Sequence, residues 1–474
     1  MTEHTSPNNE SAESGSAQHD TVKNGNAENH AAERGTAERG TAERGKLTPS
    51  RRELFGMIGA GAAGIAVGAA GGAAAQTALS GGFDDNRVDT VHGVVPFEGE
   101  HQAGITTEAQ DRMHFASFEL NRATSREDLI QLLKDWTTAA RALTQGKDIG
   151  DGAVDGALLL PPDDTGEAHD LGAANLTLTF GFGRTLFADK KSGQSVIADP
   201  YGLRSKLPKE FEELPLFAFD LIDDAISGGD LCVQACADDP QVAVHAIRNL
   251  SRIAFGKARI KWTQLGFGRT SSTSRSQKTP RNLFGFKDGT ASIKSDEAEK
   301  LKDFVWIQKG DKTPDYLVGG TYLVARKIQM TIEIWDRQHL NEQQRVIGRT
   351  KGEGAPLSGS TEFETPNFKA LNPDGSPVID VDAHVRLAHS SNNQGVELLR
   401  RGYNYVDGSN ELGQLNAGLF FITFQNDPAK FVQVQGNLKS DLLNEYIRHI
   451  GSSLWLVPPG VRPGEYIGQR IFEA

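Results

Sequence analysis

From about Asp84 onward, runs in which every second residue is apolar give way to stretches of helical spacing, and the series occurs twice. That double series limits the chain to mixed architectures, because a period of two and a period of 3.6 cannot be served by one element type. In the first series, DRMHFASFEL (111–120) ends in a strand pattern. Ser125 and Asp128 then look like an N-cap and its acidic partner, ahead of Leu129, Leu132, Leu133 and Trp136 at helical spacing. ANLTLTFGFGRTLF (174–187) is a strand running into a glycine-rich turn; LCVQAC is a strand; PQVAVHAIRNL is a helix opening at Pro240; and KARIKWTQLGFGRT (257–270) is strand-like.

In the second series, TYLVARKIQMTIEIWDR (321–337) begins as a strand and fits either helix or strand after Arg326. NEQQRVIGRTK (341–351) is helical with a stop at Gly348 or Gly352, RRGYNY is a strand, GLFFITFQND (418–427) is a buried strand, and PAKFVQVQGNLKSDLLNEYI (428–447) is a helix. Two such series with antiparallel character predict an α+β fold. The expected units are two ferredoxin-like domains, antiparallel sheets with helices, over 85–290 and 291–474. The Gly-, Pro- and Asp-rich stretch 351–381 is a long connecting loop, a kind of segment that often carries function.

The first 49 residues contain no Phe, Trp or Tyr and include the repeat TAERGTAERG (Thr36–Gly45), so they are expected to be a disordered extension. Arg51–Arg52 precedes an Ala/Gly-rich run to about Leu79. The run is poor in Leu, Ile and Phe for a membrane span and too rich in glycine for a buried helix. A twin-arginine export signal over 50–80 accounts for the paired arginines and the weakly apolar core. The net charge of −12 argues against nucleic acid as a partner. Cys232 and Cys236 lie four apart on a strand, roughly 13 Å, which is too far for a disulfide. Two free buried thiols are expected, and a metal pair is the weaker alternative, since neither a histidine nor a second cysteine pair sits nearby.

GFGRT occurs at 181–185 and again at 266–270, but neither copy completes a dinucleotide fingerprint, so tight turns explain both. The stretch Asp382–Tyr403, DAHVRLAHSSNNQGVELLRRGY, is more specific. It sets His384 shortly before Arg400 and Arg401, and a histidine that coordinates haem iron together with an arginine on the far face would suit a peroxidase. Each residue alone has a plainer explanation. The chain has 12 histidines, Asp288–Gly289 is a common turn pair, and two arginines suit a solvated strand edge.

GFKDGT (Gly285–Thr290), HVRLA (His384–Ala388) and LLRRGY (Leu398–Tyr403) together resemble the motifs of dye-decolorising haem peroxidases, in particular the exported deferrochelatase/peroxidase branch associated with iron uptake. The resemblance spans 85–474 and includes DLCVQACADDP, GGTYLVARKIQM and FQNDP. It implies one haem b per chain in a pocket of the C-terminal domain, with His384 as the proximal iron ligand, Asp288 as the distal proton shuttle and Arg400 as the charge stabiliser. Gly289, Thr290 and Ala291 match haem-lining positions. His389, Ser390 and Ser391 stand where the family often has Asn-Pro-Arg, in a segment two residues shorter than in some relatives. There His389 is a candidate propionate partner and the one rival to His384 at the iron. The resemblance names Asp427 as the carboxylate behind the ligand. Leu419 and Phe421, two apart and so on one face of their strand, are candidates for the distal pocket or equally for buried strand packing.

The activity so implied is oxidation of organic reductants by hydrogen peroxide, with haem itself as a second substrate that loses its iron while the tetrapyrrole survives. The implied partners are the twin-arginine export machinery and iron-uptake proteins of the membrane, with a homodimer as the assembly and the periplasm, cell surface or medium as the location. An aspartate shuttle, with an unperturbed pKa of about 4, leads to an expectation of turnover in mildly acid conditions. A non-catalytic haem carrier would keep His384 without needing Asp288 and Arg400, and a chlorite-degrading relative would lack the GFxDG motif. Tyr403 and Tyr405 are candidates for electron relay or simply for core packing.

Overall fold

The computed structural model describes residues 93–188 and 199–473. The disordered extension and the export signal expected over 1–80 lie outside the described residues. The first repeat runs β1 (Arg112–Leu120), α1 (Arg126–Leu143), β2 (Thr177–Gly183), β3 (Leu231–Ala237), α2 (Pro240–Ile253) and β4 (Ala258–Arg269). Its strands are ordered β4-β1-β3-β2, all antiparallel. α1 starts as expected: the Ser125 side chain accepts from the Asp128 N–H and the Asp128 carboxylate accepts from the Ser125 N–H.

The second repeat has the same plan. It comprises β5 (Thr321–Met330), α3 (Leu340–Ile347), α4 (His384–Ala388), β6 (Leu399–Arg400), β7 (Tyr403–Ser409), β8 (Leu415–Gln425), α5 (Pro428–Asn437) and β9 (Ile447–Val457). Its order is β9-β5-β8-β7, again antiparallel, with the two-residue β6 on β8 just beyond β7. Both repeats therefore have the ferredoxin-like strand order. β5 stays extended through Met330, so the segment that was ambiguous after Arg326 is strand up to that point. The helix expected over 428–447 ends at Asn437, and short 3₁₀ turns at Leu438–Ser440 and Leu442–Glu445 lead into β9.

The two sheets join at both edges, β4 to β7 and β2 to β9, so the hydrogen bonding runs around an eight-strand circuit and returns to β5. Closure gives the sheet an inside, and large side chains fill it. Phe115 lies 5.4 Å from Trp262, 5.3 Å from Phe420 and 5.2 Å from Trp455, centroid to centroid. Cys232 and Cys236 are buried in the same cluster as free thiols, and Tyr403 and Tyr405 also pack there. The outer face of the first repeat is covered by α1 and α2 through Leu129, Leu132, Trp136, Val242, Ile247 and Leu250. No helix among the described residues is long and apolar enough to cross a membrane.

Phe115 touches three other rings at the centre of the closed sheet, so Phe115→Ala is expected to destabilise the fold by about 3–5 kcal/mol. Chemical denaturation followed by tryptophan fluorescence measures this, and a loss below about 1 kcal/mol would mean that the interior is not close-packed.

Candidate active site

The GFKDGT segment is a tight hairpin. The Gly285 N–H donates to the Asn282 carbonyl and the Asp288 N–H to the Pro280 carbonyl, both at 2.9 Å. The two phenylalanines anchor it, with Phe284 stacked on Trp335 at 4.3 Å and Phe286 against the edge of the same ring. Gly289 has φ +82°, and a Cβ there would lie 2.8 Å from the Ser271 Cα, so only glycine fits. The turn holds Asp288 over a cleft, where its Oδ1 accepts from Arg400 Nη1 at 2.8 Å.

Arg400 comes from β6. Its backbone N–H donates to Ser292 Oγ at 2.9 Å, which joins the strand to the end of the GFKDGT turn. The neighbouring Arg401 projects to the other side, as strand alternation requires. It is 1% exposed and donates to the Thr107 and Glu108 carbonyls and to Gln110 Oε1. The arginine pair is thus one cleft residue and one buried structural residue, and not a solvated edge.

His384 opens α4, a helix of five residues. So short a helix needs outside support. Asparagine side chains supply it: Asn392 donates to the Arg386 carbonyl, Asn393 to those of Leu387 and His389, and Asn437 to that of Leu387. His384 Nδ1 lies 2.5 Å from Asp441 Oδ2. Asp441 is therefore the carboxylate behind the histidine, and the expectation for Asp427 is corrected. Asp427 is the N-cap of α5, accepting from the Ala429 N–H at 2.9 Å with Pro428 following, and it serves to start that helix. Burial opposes the charged form of His384, but Asp441 outweighs it, with a further contribution from Asp288 and opposition from Arg400, and the net effect raises the pKa of the ring.

The tautomers separate the two histidines. A Nδ1–H donated to Asp441 leaves Nε2 of His384 with a lone pair at the cleft it lines, the form a metal needs. At His389, Nδ1 accepts from the Ser391 N–H at 3.1 Å, so the neutral ring carries its proton on Nε2. Burial and the Arg349 charge lower its pKa. His389 and Ser390 line the cleft, whereas Ser391 is exposed with its hydroxyl 2.8 Å from His389 Nδ1.

The cleft has a volume of ≈ 540 Å³ and lies outside the closed sheet, between the outer face of the second repeat and its helices. Gly289, Thr290 and Ala291 line it, as do Leu419 and Phe421 of β8. The 351–381 loop contributes Glu362, which accepts from Lys287 Nζ at 2.6 Å and Thr290 Oγ1 at 3.1 Å. Burial tends to raise the Glu362 carboxyl, but Lys287, Thr279 and Thr290 together hold it below its ordinary value. Asp441, Glu362, Ser292 and Lys294 are the site residues that the sequence reading missed. The volume, the lone-pair nitrogen, the ion pair on the wall and the apolar residues of β8 suit a flat, iron-bearing macrocycle.

Comparison with known proteins agrees with this geometry. Residues 102–268 match the N-terminal region of Dyp-type peroxidases and residues 279–462 match the C-terminal region. The deferrochelatase of Escherichia coli (strain K12) is 34% identical over 429 residues, covering 89% of this chain and 97% of that protein. Among solved structures, ferric DtpA from Streptomyces lividans is 36% identical with a TM-score of 0.73, covering 81% of this chain and 99% of that one. A DyP-type peroxidase from Cellulomonas bogoriensis is 35% identical with a TM-score of 0.71, over the same shares. The chain belongs to the Dyp-type peroxidase family, and membership makes it a haem-dependent peroxidase by class.

The His384–Asp441 pair gives a titration prediction. Because the folded-state pKa is raised, the pair's stabilising effect is complete below the ordinary histidine value of 6.5 and fades as pH climbs through the raised midpoint. In haem-free Asp441→Ala only the opposing effect of burial remains dominant, and the His384 midpoint is expected to fall below 6.5. Ring NMR titration reads this directly, and an unmoved midpoint would show that Asp441 does not control the ring.

Proposed function

We propose that this chain is a haem b peroxidase in which His384 would hold the iron and Asp288 with Arg400 would act on the peroxide. The observation that carries this reading is the presence on one cleft of a carboxylate-backed histidine and an arginine–aspartate pair. A passive haem carrier needs the first and has no use for the second. Bound haem supplies the redox-active iron and a store of oxidising equivalents. His384 Nε2 is the ligand, and Asp441 fixes the ring's orientation and increases its basicity. Asp288 Oδ2 takes the proton from one peroxide oxygen and returns it to the departing one. Arg400 keeps Asp288 in place through Oδ1 and offers its positive charge to the departing oxygen. Asn282 Nδ2, 3.3 Å from Asp288 Oδ2, limits the swing of the carboxylate.

Organic reductants are the electron donors in this reading. Its extension is the release of iron from haem with the ring intact, which the name of the E. coli relative supports. Export by the twin-arginine route, with delivery to membrane proteins of iron uptake, is the matching cellular setting. Its support is Arg51–Arg52 and the Ala/Gly-rich run that follows.

Absorption spectra test the site. Wild type loaded with haem is expected to show a Soret band that shifts on mixing with peroxide. His384→Ala is expected to lose the iron-ligand signature, and His389→Ala to keep it. Asp288→Asn is expected to bind haem normally and to react with peroxide at least about 100-fold more slowly. Normal haem spectra and turnover in His384→Ala would refute the ligand assignment. The chelatase extension is checked separately, by following free iron and metal-free tetrapyrrole after haem is added with a reductant and no peroxide. Intact haem after many equivalents of incubation would remove that activity.

A further inference from the structure

Lys294 lies six residues beyond Asp288, is only 7% exposed, and forms part of the cleft wall. Its Nζ reaches three acceptors: the Ser272 carbonyl at 2.6 Å, Ser272 Oγ at 3.0 Å and the Gly289 carbonyl at 3.4 Å. An ammonium has three N–H bonds and a neutral amine two, so the set is complete only for the charged form. The acceptors are informative too. Ser272 follows Ser271, the residue on which Gly289 packs too closely for any Cβ, and Gly289 directly follows Asp288. The Gly289 carbonyl also accepts from the Ser292 N–H at 3.0 Å, and Ser292 Oγ holds the Arg400 N–H. The backbones that present Asp288 and Arg400 are therefore joined through Ser292, and Lys294 ties the Gly289 carbonyl on which Ser292 rests to the segment after β4.

We propose that Lys294 is a positioning residue for the peroxide reaction, its ammonium tying the Asp288–Gly289 turn to Ser272 only while it keeps all three protons. This rests on the reading above that Asp288 moves the proton and Arg400 stabilises the charge. The charged groups facing Lys294 are Arg400 of β6, Arg275 of the loop after β4, Glu297 of its own segment and Glu362 of the 351–381 loop. Burial, then the Arg400 charge, lower the Lys294 pKa from 10.5 to about 8, with Arg275 acting in the same direction and both carboxylates opposing. Above about pH 8 the amine has one N–H fewer than its acceptors and no charge to reinforce Arg400. One of the three bonds that hold the turn is then lost, and the reaction with peroxide has an alkaline limit set by a residue that acts through the turn.

The test uses haem-loaded wild type, Lys294→Met and Lys294→Arg. Stopped-flow mixing with peroxide between pH 5 and 10 gives the rate, and hydrogen exchange of peptides covering 283–293, corrected for intrinsic pH dependence, reports on the turn. In wild type the rate is expected to fall with a midpoint near 8 as turn exchange rises. Lys294→Met is expected to be slower by ten- to about a hundredfold below pH 8 and to converge on the wild-type rate above it, with no limb of its own near 8 and an already loosened turn. Lys294→Arg, which stays charged throughout this range, is expected to recover most of the rate and to lose the limb. A wild-type rate and an unchanged limb in Lys294→Met would overturn the proposal, as would a limb near 8 that survives in Lys294→Arg. If haem-loaded wild type failed to react with peroxide at all, the peroxidase reading would fall. The exchange data would still decide whether the lysine holds the turn.

Discussion

Antiparallel pairing of β5 with both β8 and β9, together with the two seams between the repeats, closes the sheet. That constraint governs the rest of the molecule. A closed eight-strand sheet has just enough interior for side chains, and here Phe115, Trp262, Phe420 and Trp455 fill it. No ligand of haem size can enter, so the site has to lie on the outer face, and strand alternation decides which residues reach it. On β8, Leu419 and Phe421 line the cleft while Phe420 and Ile422 face the packed interior. Arg400 and Arg401 divide in the same way. One rule thus separates a cleft side chain from a buried structural one at adjacent positions of the chain.

The double strand–helix series was legible because its periodicities are local, and a ferredoxin-like order follows from two such series in succession. That His384, Asp288 and Arg400 share one cleft was legible because each sits in a compact motif with glycines or an apolar run to mark it. Asp441 was not. It was hidden by reading 428–447 as one helix, in which it would have been one more polar residue on a helical face. The signal for the break was present in Gly436–Asn437, a pair that suits the end of a helix. Asp427–Pro428 likewise carried the mark of an N-cap followed by proline at the first turn, and that reading would have removed Asp427 as the histidine's partner. Glu362 had no such signal. Its partner Lys287 is 75 residues away, and only the folded loop brings them together.

The cleft wall is rich in cations, with Lys287, Lys294, Arg349 and Arg400 all lining it. Their partners differ in kind, and the difference sorts their roles. Lys287 and Arg400 each face a carboxylate, Glu362 and Asp288 respectively. Lys294 donates to carbonyls and a hydroxyl, and Arg349 Nη1 to the Gly354 and Glu362 carbonyls. A buried cation bonded only to neutral acceptors is under tension between desolvation and hydrogen bonding, and burial lowers the pKa of both Lys294 and Arg349. Arginine stays charged under that tension and lysine does not. Of the two, only Lys294 can change state near pH 8.

The two repeats share a strand order, yet the cleft described above lies on the second, and the reason is their helical cover. α1 and α2 have 18 and 14 residues and lie flat on the first repeat, with Trp136 and a row of leucines packed against the strands. In the second repeat α3, α4 and α5 have 8, 5 and 10 residues. They cannot blanket the same area of sheet, and the 351–381 loop spans what they leave open. α4 does not pay for itself by packing: no residue in it is buried, and its carbonyls are held by asparagine side chains from the neighbouring turn and from α5. A helix supported by hydrogen bonds at its end is free to hold its first residue at the cleft. That residue is His384. The cleft is therefore what remains when a repeated sheet keeps its strands and shortens its helices, and His384 sits where the cover is thinnest.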